Sequence, residues 1–320
     1  MAQMRSLWNS GLTRFLILVA VLIAKTLAPS SVFGQTCQWM YSSGGAANFR
    51  NLAVGPPRSG LRFADFNGDR RTDVFAVRPL NGDAFQWMYS SGGSASFRNL
   101  AVGPPVGELA FGDFNGDGIA DVFATVPLGG DRYQWMYSPS GTGNFIKLAV
   151  GPPLAELRFG DFDGDGKTDV FAVRQIGAGT YRWMYSPGGS GNFIDLAVGP
   201  PLEELHFGDF DGDGKTDVFA AKPLGGGAYQ WVYSPGGKGS FRNLAVGPDP
   251  ATLAFGDFDG DGKTDVFAVR ELSVGTYQWM YSPGGAGNFR NLAVGPAMAQ
   301  LAFGDFDGDG KTDVFTAECR

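Results

Sequence analysis

Six acidic stretches carry the donor chemistry of a hard-cation site. One reads Asp161-Phe162-Asp163-Gly164-Asp165-Gly166-Lys167-Thr168-Asp169. Carboxylates at its positions 1, 3, 5 and 9 and the carbonyl of position 7 form an oxygen-only set in a flexible loop. Such a set suits Ca2+ better than Mg2+, which demands stricter geometry and fewer protein ligands. Glycine at position 6 allows a positive φ that turns the donors inward. The expected donors of the first loop are Asp65, Asn67, Asp69, Arg71 and Asp73, and of the second Asp113, Asn115, Asp117, Ile119 and Asp121. In the third they are Asp161, Asp163, Asp165, Lys167 and Asp169, and in the fourth Asp209, Asp211, Asp213, Lys215 and Asp217. Asp257, Asp259, Asp261, Lys263 and Asp265 follow in the fifth, and Asp305, Asp307, Asp309, Lys311 and Asp313 in the sixth. Single Asp-Gly runs are often plain turns. Six at one spacing would leave six groups of oxygen donors uncompensated, so up to six calcium ions are expected. The first loop is the weakest, because Arg70 replaces the glycine and Asn67 an aspartate.

The first aspartates of the loops are 48 residues apart, and so are Trp39, Trp87, Trp135, Trp183, Trp231 and Trp279 in their Trp-x-Tyr-Ser strings. A fixed period of this length marks a repeat architecture. The spacing is similar to the start of an EF-hand loop, but the glutamate at position 12 is missing and an apolar strand-like run, Val170-Phe171-Ala172-Val173, follows. Phe159-Gly160-Asp161-Phe162-Asp163-Gly164-Asp165-Gly166 and its copies resemble FG-GAP/VCBS-type repeats, whose blades also build the propellers of integrin alpha chains. The resemblance runs from Cys37 to the C-terminus. It implies a β-propeller with the calcium loop between the first two strands of each blade. The Gly-Ala-Pro part of the motif is absent, so integrin-like ligand binding is not implied.

Residues 1–34 read as a signal peptide: Arg5 and Arg14 precede a ten-residue apolar run at 15–24, and small residues follow. That run is too short to span a bilayer, and the pattern is that of a secretory leader. Cleavage takes the formal charge from −7 to −10. The expectation is a secreted, extracytoplasmic chain with no nucleic-acid partner, no stable membrane insertion after cleavage, and a monomeric state. Residues 35–320 form one propeller domain.

No mature segment keeps a helical period, so an all-β fold is expected. In the third unit strands are expected at 156–161, 169–174, 180–186 and 193–198, with turns at 175–179 and 187–191. Four such strands make one propeller blade. The mature sequence starts, at Cys37, in the third strand of a unit and ends in the second. The two ends therefore complete one split blade, which gives six blades of 48 residues. Cys37 and Cys319, the only cysteines, align with Tyr181 and Gln175, the residues that flank the missing hairpin. A Cys37–Cys319 disulfide is expected in an exported chain. The alternative architecture, a stacked β-solenoid, keeps these cysteines apart.

Nothing in the sequence points to an enzyme. His206 is the only histidine, at a position where other units carry arginine or alanine, and the repeated aspartates are accounted for by metal. The recurring aromatics have two readings. They fill the wedge between blades, or they stack on sugars, and the candidate ligand residues are Trp39, Tyr41, Trp87, Tyr89, Trp135, Tyr137, Trp183, Tyr185, Trp231, Tyr233, Trp279 and Tyr281. Some fungal lectins use related calcium-loop propellers with pockets between blades, so the resemblance permits a glycan ligand, although it supplies no matching residues. A carbohydrate-binding module is the leading reading. An extracellular protein ligand or a structural scaffold is the second, and an unrecognised hydrolase the third.

Overall fold

The computed structural model describes residues 35–319. The leader expected at 1–34 lies outside them. Six four-stranded antiparallel sheets follow one another, and no α-helix occurs among the described residues. In the third blade the strands are Arg158–Gly160, Asp169–Gly177, Thr180–Ser186 and Ile194–Gly199, paired in sequence order. The first strands of the fourth and fifth blades touch, as do those of the sixth and first.

The sequence places these strands well except at their ends. The first strand is shorter than expected because Leu154–Glu156, after Pro153, forms a 3-10 turn that holds the chain off the sheet edge. The second strand runs past Arg174 to Gly177, pairing Gln175 with Tyr181 and Gly177 with Thr180. The hairpin turn shrinks accordingly to Ala178-Gly179, where Gly179 has φ 65°. Only the first half of that strand is buried: Asp169 to Ala172 lie inside and residues 174–177 are exposed.

Ring closure follows the split-blade expectation. Cys37–Ser42 pairs along its whole length with Asp313–Cys319, with Cys37 opposite Cys319. That register is the one Tyr181 and Gln175 take in the third blade. The two cysteines form a disulfide, so the solenoid alternative is ruled out. Among the described residues no helix is long and apolar enough to cross a membrane.

The core lies between blades. Phe162, Phe171, Trp183 and Tyr185 of the third blade pack against Leu205, Val218 and Ala220 of the fourth. Rings meet at the same junctions: Trp183 stands edge-on to Phe241 at 5.7 Å and Phe171 to Phe207 at 5.0 Å. Such edge-to-face pairs add about 0.5–1.5 kcal/mol each beyond burial.

Candidate metal centres and the faces around them

Each acidic loop connects the first and second strands of its blade, and the backbone folds it largely by itself. In the third loop Asp161 accepts the N–H of Gly164 through Oδ1 (2.6 Å) and that of Gly166 through Oδ2 (2.9 Å). Asp165 accepts the N–H of Lys167 at 2.9 Å. Asp169 is fully buried and holds two parts of the blade together. Its Oδ2 accepts the N–H of Phe162 (2.9 Å) and its Oδ1 that of Gly188 (2.8 Å), in the turn between the third and fourth strands. The acidic loop and that turn therefore share one face of the ring.

Positions 1, 3 and 9 converge. In Asp161/Asp163/Asp169, Asp209/Asp211/Asp217, Asp257/Asp259/Asp265 and Asp305/Asp307/Asp313, one carboxylate oxygen from each residue lies within 4.8 Å of the others. Position 5 stands outside these trios and spends one oxygen on the loop's own backbone. At position 7 the side chain turns away to the neighbouring blade: the Lys215 stem passes over Gly164, Lys263 over Gly212 and Lys311 over Gly260.

Burial dominates the electrostatics. It pushes the carboxyls of Asp73, Asp121, Asp169, Asp217 and Asp265 up to about 6, and that of Asp313 to about 7, against the opposing pull of two backbone N–H groups on each. The buried Oδ1 atoms of Asp211, Asp259 and Asp307 have no hydrogen-bond partner. A buried carboxylate oxygen without a partner is costly, and a hard cation shared with the two flanking aspartates removes that cost. The complete loops thus fit a calcium-type ion by donor chemistry and by unmet demand.

Three features escaped the sequence reading. Arg50, Arg242 and Arg290, at the start of the outer strands, reach the position-3 aspartates Asp307, Asp211 and Asp259 at 3.5, 3.1 and 3.5 Å. The same guanidiniums donate to the Tyr41, Tyr233 and Tyr281 hydroxyls. The recurring Phe-Arg-Asn-Leu string was the available signal. A cleft of about 400 Å³ opens between the fifth and sixth blades on the acidic-loop face, lined among others by Asp259, Tyr281, Arg290, Ser43, Asp309 and Lys311. A threonine at position 8 bonds across to the preceding blade, as in the 2.9 Å bond from the Asp161 N–H to Thr216 Oγ1.

The sugar-stacking expectation for the tryptophans is corrected. Trp39, Trp87, Trp135, Trp183, Trp231 and Trp279 are all 0% exposed. Each indole donates to a proline carbonyl, as Trp183 does to Pro200 at 3.0 Å. Glycine at position 199 and its equivalents lets the outer strand lie directly on the ring. No face is left for a pyranose. Tyr41, Tyr89, Tyr137, Tyr185, Tyr233 and Tyr281 are buried as well, at 4–8% exposure, with rings tilted against the phenylalanine of the loop, as Tyr185 is against Phe162. Only their hydroxyl edges reach the loop face, where the Tyr281 hydroxyl donates to Asp259 at 3.4 Å. His206 is packed between Phe219 and Phe255, and burial lowers its pKa, aided by nearby Arg158.

Among solved structures the chain is similar to a protein provisionally assigned as TolB from Agrobacterium tumefaciens. The match has 13% identity and a TM-score of 0.50 over 90% of this chain and 98% of that one. An uncharacterized Listeria monocytogenes EGD-e protein matches at 8% identity and TM-score 0.45, over 74% of this chain and 66% of that one. The polysaccharide lyase Uly1 matches at 11% identity and TM-score 0.40, over 81% and 77% of the two chains. At these identities the likeness concerns the fold alone. No curated protein matches the sequence. A family model described as FG-GAP-like repeat matches residues 65–124, 113–172, 161–220, 209–268 and 257–316, each match running from one acidic loop through the next.

Proposed function

The chain belongs to the FG-GAP-like repeat family, whose propeller serves as a binding or scaffold module, and from that premise we propose a secreted, calcium-stabilised, non-catalytic module that recognises carbohydrate. The cleft between the fifth and sixth blades carries the reading. Its volume lies in the range of small-molecule sites. It pairs cationic donors, Arg290 and Lys311, with carboxylate acceptors, Asp259 and Asp309. A polyhydroxylated ligand needs both kinds of partner. The acidic loops border the cleft, and Asp259 belongs both to its lining and to a carboxylate trio, so a bound ion would fix that wall of the site. The Cys37–Cys319 disulfide supports an oxidising compartment.

The test is a glycan array on residues 35–320, in calcium and again in chelator. Calcium-dependent binding to one sugar class that Arg290→Ala abolishes supports the reading. Silence from a folded protein overturns it. A protein partner is the second reading, favoured by one observation on the opposite face. The hairpin tips there expose Leu128, Ile176, Leu224, Leu272 and Val274, spread over four blades on one face, where a broad partner would cover them together.

A further inference from the structure

The first acidic loop differs from its sisters in charge, backbone and internal bonding. We infer that residues 65–73 are closed by their own side chains and hold no calcium, while the complete loops do. This rests on the calcium reading of those complete loops.

The key residue is Asn67, at position 3. In the complete loops this position brings a carboxylate oxygen within 4.8 Å of positions 1 and 9. In the first loop it brings an amide. Asn67 Nδ2 donates to Ser91 Oγ at 2.9 Å and faces Asp73 Oδ1 at 3.4 Å. A donor therefore meets the position-9 carboxylate where a second anion stands in the third to sixth loops. Asn67 Oδ1 is used too, accepting the Asp69 N–H at 2.9 Å. Ser91 then donates to Asp69 Oδ2 at 3.2 Å. Loops two to five have Pro139, Pro187, Pro235 and Pro283 at the place of Ser91, and the sixth has Ser43, which donates to Asp309 at 3.4 Å but meets Asp307 instead of an amide donor at position 3, so none of them forms the full bridge.

Charge points the same way. Three aspartates of the first loop stand beside Arg70 and Arg71, for a net −1, whereas each complete loop sets four aspartates against one lysine, for a net −3. A divalent ion would leave the first loop at +1 and the others at −1. The backbone turn is kept despite the lost glycine. Arg70 adopts φ 64° where glycine sits in every other loop, and its N–H donates to Asp65 Oδ2 at 2.7 Å.

The experiment counts calcium ions retained per chain after equilibrium dialysis of the whole propeller in millimolar calcium. The Asn67→Asp/Arg70→Gly variant should retain one ion more than the wild type. An unchanged count overturns the inference. If that variant does not fold, single variants decide. Asp65→Asn should leave the wild-type count intact while Asp209→Asn lowers it by one. A loss of one ion in both overturns the inference. Calcium retained by none of these proteins would sink the calcium reading for the entire ring, and this inference with it. That result is distinct from a wild type that fills all six loops.

Discussion

The junction between the first and second blades is built differently from the other five. At five junctions a threonine, such as Thr216, sits against a glycine of the preceding inner strand, here Gly160, so tightly that a Cβ on the glycine would overlap it. Its Oγ1 accepts the N–H of the aspartate that opens the preceding loop, for Thr168, Thr216, Thr264, Thr312 and Thr72 alike. At the first junction the glycine is Ala64 and the threonine is Ala120. The backbone bond from the Ala120 N–H to the Asp65 carbonyl remains, at 2.7 Å, and the side-chain bond is gone. Volume has moved from one partner to the other, and the fit is kept. The lesson is that each glycine of the Phe-Gly string is a socket for the next blade and not merely a turn residue.

The largest expected effect tests whether covalent closure outweighs any single junction. Cys37→Ser/Cys319→Ser should lose roughly 2–5 kcal/mol of stability, read by denaturant unfolding. A loss smaller than that of any junction variant below would rank the junctions above the closure. Next, Gly208→Ala should cost about 1–3 kcal/mol through overpacking against Thr264, and Gly208→Ala/Thr264→Ala should recover most of it. If the double variant is as unstable as the single one, the socket account is wrong.

Thr216→Val keeps the shape and removes the acceptor for the Asp161 N–H. It should cost about 1 kcal/mol, and a neutral result would make the threonine a spacer only. Smaller still is the converse experiment. Ala64→Gly/Ala120→Thr converts the odd junction to the common type and should gain about 0.5–1 kcal/mol. Ala120→Thr alone should instead destabilise, because Ala64 fills the socket.

Junctions and loops should also separate by pH. The position-9 carboxyls are raised by burial in the metal-free fold. Their stabilising contribution is therefore fully present below the unfolded carboxylate pKa, and is lost as pH rises through about 6, and about 7 for Asp313. In chelator, Tm should fall from pH 5 to pH 7.5. In saturating calcium the slope should reverse, because protons compete with the ion for the same carboxylates. Parallel slopes in both buffers would detach these aspartates from metal binding. Thr216→Val should lower Tm equally at both pH values.

Much of this architecture is legible in the sequence because six copies reinforce one another. The 48-residue period, the split blade and the Cys37–Cys319 pairing follow from alignment of the units alone. The aromatics are harder. Period-2 alternation says that Trp183 and Tyr185 share a face, but not whether that face meets another blade or solvent. Burial between blades comes only from ring closure. The short first strand was hidden because Leu154–Glu156 has the apolar and acidic residues of a strand end, while Pro153 sets a 3-10 turn. The Ala64/Ala120 exchange is visible as two departures from the repeat. Their complementarity is not, since the partners lie on different blades.

The split blade has a mechanical consequence. Cys37 and Cys319 face each other on adjacent strands, so a tether entering before one and leaving after the other bypasses the rest of the ring. Tension between such tethers loads one covalent bond. The six sheets feel no pulling force until that bond is reduced. Reduction would hand the load to the paired strands Cys37–Ser42 and Asp313–Cys319, which separate most readily from their cysteine ends. The propeller can therefore sit in a chain under tension as a rigid bead while oxidised, and yield at its seam once reduced.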